Sequence, residues 1–236
     1  HVDLDDGRLV LNDLLFDAGD ILYFRPNRGH HLREFLAEQG LAGRDLPEPA
    51  RNALKHQAYH GQISRGQYRE GLLRLYGLSD PVLIERGKKL MDMDDNNIEF
   101  FEGVAATLKR LKDQGYMLGI ITDTAMPLHV KLAWFEQGGF GHVWDCIVSS
   151  QEVGVQKPAP RIYQAALAQL GLTVDQAVFV GHSPEELEGA RAVGMKTIAF
   201  NYKEPARADY YVERFPDILK VSLVCADEDR QQVNLK

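Results

Sequence analysis

Short apolar runs alternate with helical patterns of ten or more residues between residues 104 and 200, and this alternation constrains the fold most strongly. A similar apolar run, LLF at residues 14–16, lies near the start of the chain. Strands that alternate with helices of this length form a parallel sheet covered by helices on both faces. The sequence therefore predicts an α/β fold, a doubly wound parallel sheet. Its predicted strands are LLF, YMLGIIT, DCIVSS, AVFVG and KTIAF.

Residues 29 to 95 carry a different pattern. Apolar residues recur there at three- and four-residue spacing, which is typical of amphipathic helices, in HLREFLAEQ, ARNALKHQAY, RGQYREGLLRLY and PVLIERGKKL. This block predicts an all-helical insert in the α/β domain. We assign residues 1–24 and 97–236 to the α/β core domain and residues 25–96 to the helical domain.

Composition narrows the class of protein. The 236 residues include 34 acidic and 27 basic side chains, which give a formal charge of −7, and no block of lysine and arginine stands out. Nucleic acid is therefore an unfavourable partner. No apolar run reaches about 18 residues, the length of a membrane span, so no membrane partner is expected. Two widely separated cysteines suit a reducing compartment, and we expect a cytoplasmic protein.

Polar side chains follow the predicted strands at the points where the strands end. In an open parallel sheet the ligand site lies outside the carboxyl ends of the strands, so these side chains should converge. They combine carboxylate, hydroxyl, imidazole and ammonium groups, which is the chemistry of a phosphate site. The residues concerned are Asp17, Thr122, Ser149, Ser150 and His182, with Lys157 a short loop beyond the third strand.

Four segments that include these residues resemble the four motifs of the haloacid dehalogenase-like hydrolases. They are LLFDAGDIL, LGIITDT, VGVQKPAPRIY and VFVGHSPEELEGARAVGMKTIAF, in the order of that superfamily. The resemblance covers roughly residues 12 to 203. It implies a Rossmann-like core, and the helical block sits where the first subclass of the superfamily inserts its helical cap.

The resemblance also implies a role for each matched residue. Asp17 corresponds to the nucleophile that becomes an aspartyl phosphate, and Thr122 to a donor for a phosphoryl oxygen. Lys157 corresponds to the cation that neutralises charge on the nucleophile and on the phosphate. Thr122 could instead satisfy backbone groups at a strand end, and Lys157 could be an exposed loop residue. The implied cofactor is Mg²⁺, and its implied ligands are Asp17, the Gly19 carbonyl, Glu186 and the position of His182.

Two positions depart from the family pattern. Phosphatases of the family usually carry an acid/base aspartate two residues after the nucleophile, where this chain has Gly19. The fourth motif has His182 in place of its first acid, and imidazole is a poor ligand for Mg²⁺. His182 could fill space, contact phosphate, act as acid/base or bind a softer metal. Glu186 could bind a metal or complete a capping box with Ser183.

These observations leave three functions open. The first is hydrolysis of a small phosphomonoester through an aspartyl phosphate, with a degenerate acid/base and metal site. The second is binding of a phosphorylated ligand or a protein without turnover, and the third is metal-independent hydrolysis like that of the dehalogenases. The expected partner is a small phosphorylated metabolite. The basic and imidazole side chains after the first motif are candidates for reaching the site, since the chain leaves the core there, but the favoured interpretation is that they are surface charges. They are Arg25, Arg28, His30 and His31.

Overall fold

The structure is a computed structural model that describes residues 13–221. Residues 1–12 and 222–236, which belong to the predicted core domain, lie outside the described residues. The strands are β1 (Asp13–Phe16), β2 (Tyr23–Phe24), β3 (Glu99–Phe100), β4 (Leu118–Thr122), β5 (Cys146–Ser149), β6 (Ala177–Gly181), β7 (Lys196–Phe200) and β8 (Tyr210–Val212). The helices are α1 (His30–Glu38), α2 (Glu48–Tyr59), α3 (Arg65–Leu75), α4 (Pro81–Asn96), α5 (Val104–Asp113), α6 (Leu128–Gln137), α7 (Ser150–Val153), α8 (Pro160–Leu170) and α9 (Pro184–Ala192).

Six strands form one parallel sheet in the order β5-β4-β1-β6-β7-β8. The five strands predicted from apolar runs are all present in it, so the predicted α/β fold is confirmed. β8 joins the edge of the sheet and was not predicted, because this short strand, YYV, has an exposed tyrosine and is not buried on both faces. β1 lies in the middle of the sheet between β4 and β6.

Both faces of the sheet are buried, as the unbroken apolar strands require. Successive side chains of a strand point to opposite faces, and β1 shows this directly. Leu14 and Phe16 pack into one apolar cluster with helix α5, whereas Leu15 packs into a second cluster with helix α8. Burial on both sides fixes the register of β1 and therefore the position of the residue that follows it.

Helices α1 to α4 occupy the predicted helical insert and have an apolar cluster of their own. Its buried members include Phe35, Leu73 and Ile84. The chain leaves the sheet through β2 and returns through β3, and these two short strands pair antiparallel with each other. The two-stranded ribbon was not predicted, because two-residue strands leave no periodic signal. The domain boundaries at residues 24 and 97 stay predictions.

No helix within residues 13–221 has the length and apolar character needed to cross a bilayer.

The close approach of β1, β4 and β5 generates one prediction about stability. A Cβ atom on Gly119 would lie 2.5 Å from Leu15 Cδ2 and 2.6 Å from Cys146 Sγ. Gly119→Ala should therefore lower the free energy of unfolding by about 1–3 kcal/mol through overpacking, measured by urea denaturation. Gly66→Ala in α3 is the control, since its nearest atom would be Ser64 Oγ at 3.8 Å. Equal stability of the two variants would contradict this account.

Candidate active site

Six of the predicted site residues line one cleft at the carboxyl ends of the central strands: Asp17, Gly19, Thr122, Lys157, His182 and Glu186. Asp17 directly follows β1, Thr122 ends β4, and His182 directly follows β6. Because these three strands are neighbours in the sheet, their ends bring the carboxylate, hydroxyl and imidazole together. The cleft has a volume of about 790 Å³ and is also lined by residues of the helical insert.

Lys157 occupies the centre of the site. Its Nζ lies 2.6 Å from Asp17 Oδ1 and 3.0 Å from Glu186 Oε2, and it also donates to the carbonyl of Ile121. The Lys157 side chain is only 1% exposed, so the alternative of an exposed loop lysine is wrong. Burial alone would lower the pKa of Lys157, but Asp17, Glu186 and Asp123 outweigh it and hold the pKa above its ordinary value. The ammonium is therefore charged at neutral pH.

Asp123 holds the loop that carries Lys157. The backbone N–H of Lys157 donates to Asp123 Oδ1 over 3.1 Å. Burial raises the pKa of the Asp123 carboxyl, and the nearby Lys157 ammonium opposes that rise. The second and third motifs are thus joined by this hydrogen bond and by the contact of Lys157 Nζ with the Ile121 carbonyl.

Glu186 faces the site rather than the start of its own helix. Ser183 precedes α9 but makes no side-chain capping bond to its backbone, and its hydroxyl donates to Glu185 instead. The alternative of a capping box between Ser183 and Glu186 is therefore wrong. Burial raises the pKa of Glu186 to about 7, with a further increase from Asp17, while Lys157 opposes the rise. Glu186 is thus a buried carboxyl held in place by an ammonium.

His182 is the imidazole nearest to the predicted nucleophile. Its Nε2 lies 3.7 Å from Asp17 Oδ2, which is too long for a hydrogen bond. Its Nδ1 is buried and has no hydrogen-bond partner among residues 13–221. Burial lowers the pKa of His182, although Asp17 and Asp20 oppose this, so the ring is neutral at pH 7. A neutral ring keeps one nitrogen free to accept a proton.

Gly19 leaves space where the family pattern has an acid. A Cβ atom there would meet only the hydroxyl of Tyr23, at 3.9 Å. The backbone of Gly19 is not in the left-handed region that favours glycine. The fold therefore does not require glycine at this position. A carboxylate would fit there, so its absence changes the chemistry of the site and is not imposed by packing.

Asp20 is separate from this centre. Its carboxylate pairs with Arg28, 3.1 Å away, at the exposed rim of the cleft. Asp20 has a positive φ of 59°, a conformation that Asp tolerates in turns. Asp20 is therefore a loop acid at the rim of the cleft.

Ser149 and Ser150 have backbone partners instead of a ligand-binding arrangement. The Ser149 hydroxyl accepts from the backbone N–H of Glu152 and starts α7, and the Ser150 hydroxyl accepts from the N–H of Thr124. They follow β5, which is farther from β1 than β4 and β6 are. These two hydroxyls serve the local structure.

A second buried lysine, Lys131 on α6, was not predicted as a site residue. Its Nζ donates to Thr122 Oγ1 over 2.7 Å, and the residue is 6% exposed. Burial lowers the pKa of Lys131 to about 7, although the Asp17 carboxylate opposes this shift. The signal was present in the sequence: Lys131 lies three and four residues before Trp134 and Phe135, both buried, and so on the apolar face of its helix.

Basic side chains predominate in the cleft, in contrast to the acidic chain as a whole. Eight lysine and arginine residues line it, and six aspartate and glutamate residues. Arg25 and Arg28 are among them, so these two are not merely surface charges, whereas His31 pairs with Asp94 within the helical insert. The basic residues are Arg25, Arg28, Lys55, Arg65, Arg69, Lys131, Lys157 and Lys203. Such a cleft favours an anionic ligand.

The donor set of the site differs from the one that Mg²⁺ requires, which is oxygen ligands in a tight octahedron. Asp17 and Glu186 supply carboxylates, but both face the Lys157 ammonium, and His182 stands where a third carboxylate would be needed. Residues 13–221 contain no group of three or more His, Cys, Asp or Glu side chains that could hold a metal ion. These groups do not fit magnesium as placed. The metal-ligand roles of Asp17, Gly19, Glu186 and His182 stay predictions.

Comparison with known proteins identifies the family. A family model described as haloacid dehalogenase-like hydrolase matches residues 72–200, more than half of the chain. The chain belongs to the haloacid dehalogenase-like hydrolase family. The match includes Thr122, Lys157 and Glu186, whereas Asp17 and Gly19 precede it. The resemblance inferred from the four motifs is confirmed.

Relatives within the haloacid dehalogenase-like family include two curated phosphatases. The chain is 35% identical over 129 residues to a glyceraldehyde 3-phosphate phosphatase of Pyrococcus furiosus, covering 50% of this chain and 52% of that protein. It is 29% identical over 140 residues to the pyrophosphatase PpaX of Bacillus cereus, covering 55% and 62%. The chain thus spans about half to two thirds of these relatives.

Solved structures confirm the fold of this family member. A crystal structure described as a predicted phosphoglycolate phosphatase from Haemophilus somnus superposes with a TM-score of 0.66 at 19% sequence identity. The superposition covers 92% of this chain and 100% of that one. The likeness in fold therefore extends over most of the chain.

The buried ammonium of Lys131 generates a prediction about stability. Its pKa lies near 7 in the folded protein and at 10.5 ordinarily, so the unfolded chain binds the proton more tightly and stability rises with pH between these values. Lys131→Met should raise the free energy of unfolding by about 1–3 kcal/mol at pH 6 and by less at pH 10. Urea denaturation at the two pH values measures both differences.

Lys109→Met is the matched control, since Lys109 is exposed on α5. It should leave stability unchanged at both pH values. A loss of stability in Lys131→Met at pH 6 would show that the ammonium stabilises the fold, contrary to this prediction.

Proposed function

We propose that this protein hydrolyses small phosphomonoesters through a phosphorylated Asp17. The observation that supports this best is the buried pair of Asp17 and Lys157, 2.6 Å apart, at the base of a cleft with an excess of basic side chains. A carboxylate is a weak nucleophile, so it needs a fixed position and nearby positive charge to approach a phosphate dianion. Lys157 supplies both. The family membership agrees with this chemistry, and so do the phosphatases among the relatives.

In the first step Asp17 Oδ2 attacks phosphorus. Lys157 holds Oδ1, which leaves Oδ2 as the oxygen for the new bond to phosphorus. The ester P–O bond breaks, and the electron pair leaves with the alcohol oxygen. Thr122 donates a hydrogen bond to a phosphoryl oxygen, while Lys157 balances the charge on both partners. The product of this step is an aspartyl phosphate on Asp17.

In the second step water attacks the aspartyl phosphate and releases inorganic phosphate. This water must lose a proton, and Gly19 has no side chain to accept it. His182 is the candidate base, because it is neutral and lies beside Asp17 Oδ2. The proton goes from water to the ring, and Asp17 is regenerated as a carboxylate. General-base assistance of this kind contributes about 10²- to 10⁴-fold in other enzymes.

A neutral His182 cannot protonate the departing alcohol in the first step. The protein should therefore prefer substrates whose leaving group is stable as an anion, such as aryl phosphates or acyl phosphates. Alkyl phosphates, whose leaving oxygen needs a proton, should react slowly. The excess of basic side chains in the cleft suits a small phosphorylated metabolite with further anionic or polar groups.

A second function is favoured by the two positions that depart from the family pattern, Gly19 and His182. With Gly19 and His182 in the positions of the usual acids, the cleft would still bind a phosphorylated ligand if turnover were lost. Lys157, Thr122 and the basic rim do not depend on those positions. Binding without phosphate release would support this alternative.

The two aspartates of the first motif can be compared directly. Asp17→Asn should lower phosphate release from p-nitrophenyl phosphate by at least about 10³-fold, because the amide cannot act as the nucleophile. Asp20→Asn is the control and should keep activity within a few-fold, since Asp20 pairs with Arg28 at the rim. Steady-state kinetics with both variants provides the measurement. Full activity of Asp17→Asn would exclude the proposed mechanism.

The missing acid/base can be restored by substitution. Gly19→Asp should increase turnover about 10- to 100-fold for an alkyl phosphate, and much less for p-nitrophenyl phosphate, because only the alkyl leaving group needs a proton. The space around Gly19 accommodates the new side chain. Gly19→Asn has nearly the same shape without the acid and should give no increase. A similar gain with both substrates, or with Asn, would count against this explanation.

A further inference from the structure

Lys131 is a buried ionisable side chain in the cleft that the proposed mechanism does not use. It lies on α6 near the buried aromatic residues Trp134 and Phe135, on a helix face where an apolar side chain would suffice for packing. Burying an ammonium is unfavourable unless it is hydrogen bonded and charge-compensated. Its presence there therefore calls for a role in the site.

When Lys131 is protonated, its hydrogen bond with Thr122 has only one possible direction. An ammonium carries donors and no acceptor, so Thr122 Oγ1 accepts from Lys131 Nζ, 2.7 Å away. A hydroxyl that accepts in this way has its own proton left for a different partner. Thr122 lines the cleft beside Asp17, so this proton is available to a bound phosphoryl group. Donation from a cation also polarises the hydroxyl and makes it a stronger donor.

The charged groups around Lys131 connect it to the same site. Asp17 and Asp123 favour its charged form, and Arg25 and Lys157 oppose it. With burial added, the balance of these effects leaves Lys131 only partly protonated near pH 7. A tetrahedral dianion in the cleft would add negative charge beside it and favour the protonated form.

We infer that Lys131 is a positioning residue, which orients the Thr122 hydroxyl toward a bound phosphoryl group and adds a second buried cation at that site. This inference rests on the proposed function, because it takes the phosphoryl group to bind between Thr122 and Lys157. It explains why the chain keeps a lysine at a buried position. It also gives the site a positive charge that does not depend on the acids missing at residues 19 and 182.

Binding of inorganic sulfate tests the inference without requiring turnover. Sulfate is a tetrahedral dianion whose charge does not change between pH 6 and pH 8.5, and calorimetry gives its dissociation constant. In the parent protein sulfate should bind several-fold more weakly at pH 8.5 than at pH 6, as Lys131 loses its proton. Lys131→Met should bind about 10-fold more weakly at pH 6, the effect of one lost nearby charge, with a smaller dependence on pH.

Two further variants separate the hydrogen bond that Lys131 donates to Thr122 from its positive charge. Lys131→Gln keeps a donor for Thr122 without the charge, and should bind sulfate more tightly than Lys131→Met with the same weak pH dependence. In a Thr122→Val background, Lys131→Met should have a smaller effect than in the parent, because part of its action passes through the hydroxyl. Glu186, whose pKa burial raises to about 7, also titrates in this interval, and it is present in every variant. The comparison therefore isolates Lys131.

The outcomes distinguish this inference from the proposed function. If Asp17→Asn abolishes turnover while Lys131→Met binds sulfate as the parent does at both pH values, the role of Lys131 is wrong and the proposed function stands. If Asp17→Asn stays fully active, the proposed function fails, whatever the affinities of the variants for sulfate. Lys109→Met controls for loss of a surface charge, and its sulfate binding should match the parent. A 10-fold loss in Lys109→Met would show that overall charge, rather than Lys131, determines affinity.

Discussion

The site depends on one buried ammonium that ties together three separate parts of the chain. Lys157 contacts the end of β1 through Asp17, the end of β4 through the Ile121 carbonyl, and helix α9 through Glu186. Moving charged groups from water into the protein interior is unfavourable, so the presence of this buried cluster does not show that it stabilises the fold. Its consequence is geometric. One carboxylate oxygen of Asp17 is occupied, and the other is directed to the cleft.

The sequence could predict the sheet because a parallel sheet covered on both faces needs unbroken apolar strands. LLF and AVFVG have this property, and they became the neighbours β1 and β6. β8 contains YYV, with one exposed tyrosine, so its pairing with β7 depends on tertiary contacts that a local pattern does not contain. The same holds for the ribbon of β2 and β3, whose partners are separated by the whole helical insert.

The site was predictable where chemistry follows from topology, and unpredictable where it depends on contacts distant in sequence. Asp17, Thr122 and His182 end neighbouring strands, so the order of the sheet alone brings them together. Glu186 was ambiguous, because Ser183 and Glu186 satisfy a local capping pattern and only the position of Lys157 decides between the alternatives. Lys131 was missed because a helical pattern identifies a buried face without requiring that every residue on it be apolar.

The same reasoning gives Gly19 and His182 a common meaning. The fold has room for a side chain at residue 19, so packing does not explain the glycine. An acid there would both donate a proton to the leaving group and receive one from water, whereas a neutral imidazole beside Asp17 can only receive. Under the proposed mechanism, a site built in this way would separate the two proton transfers and assist only the second. Selectivity for substrates with stable leaving groups would then follow from which proton transfers the site can assist, before any contact with the rest of the substrate is considered.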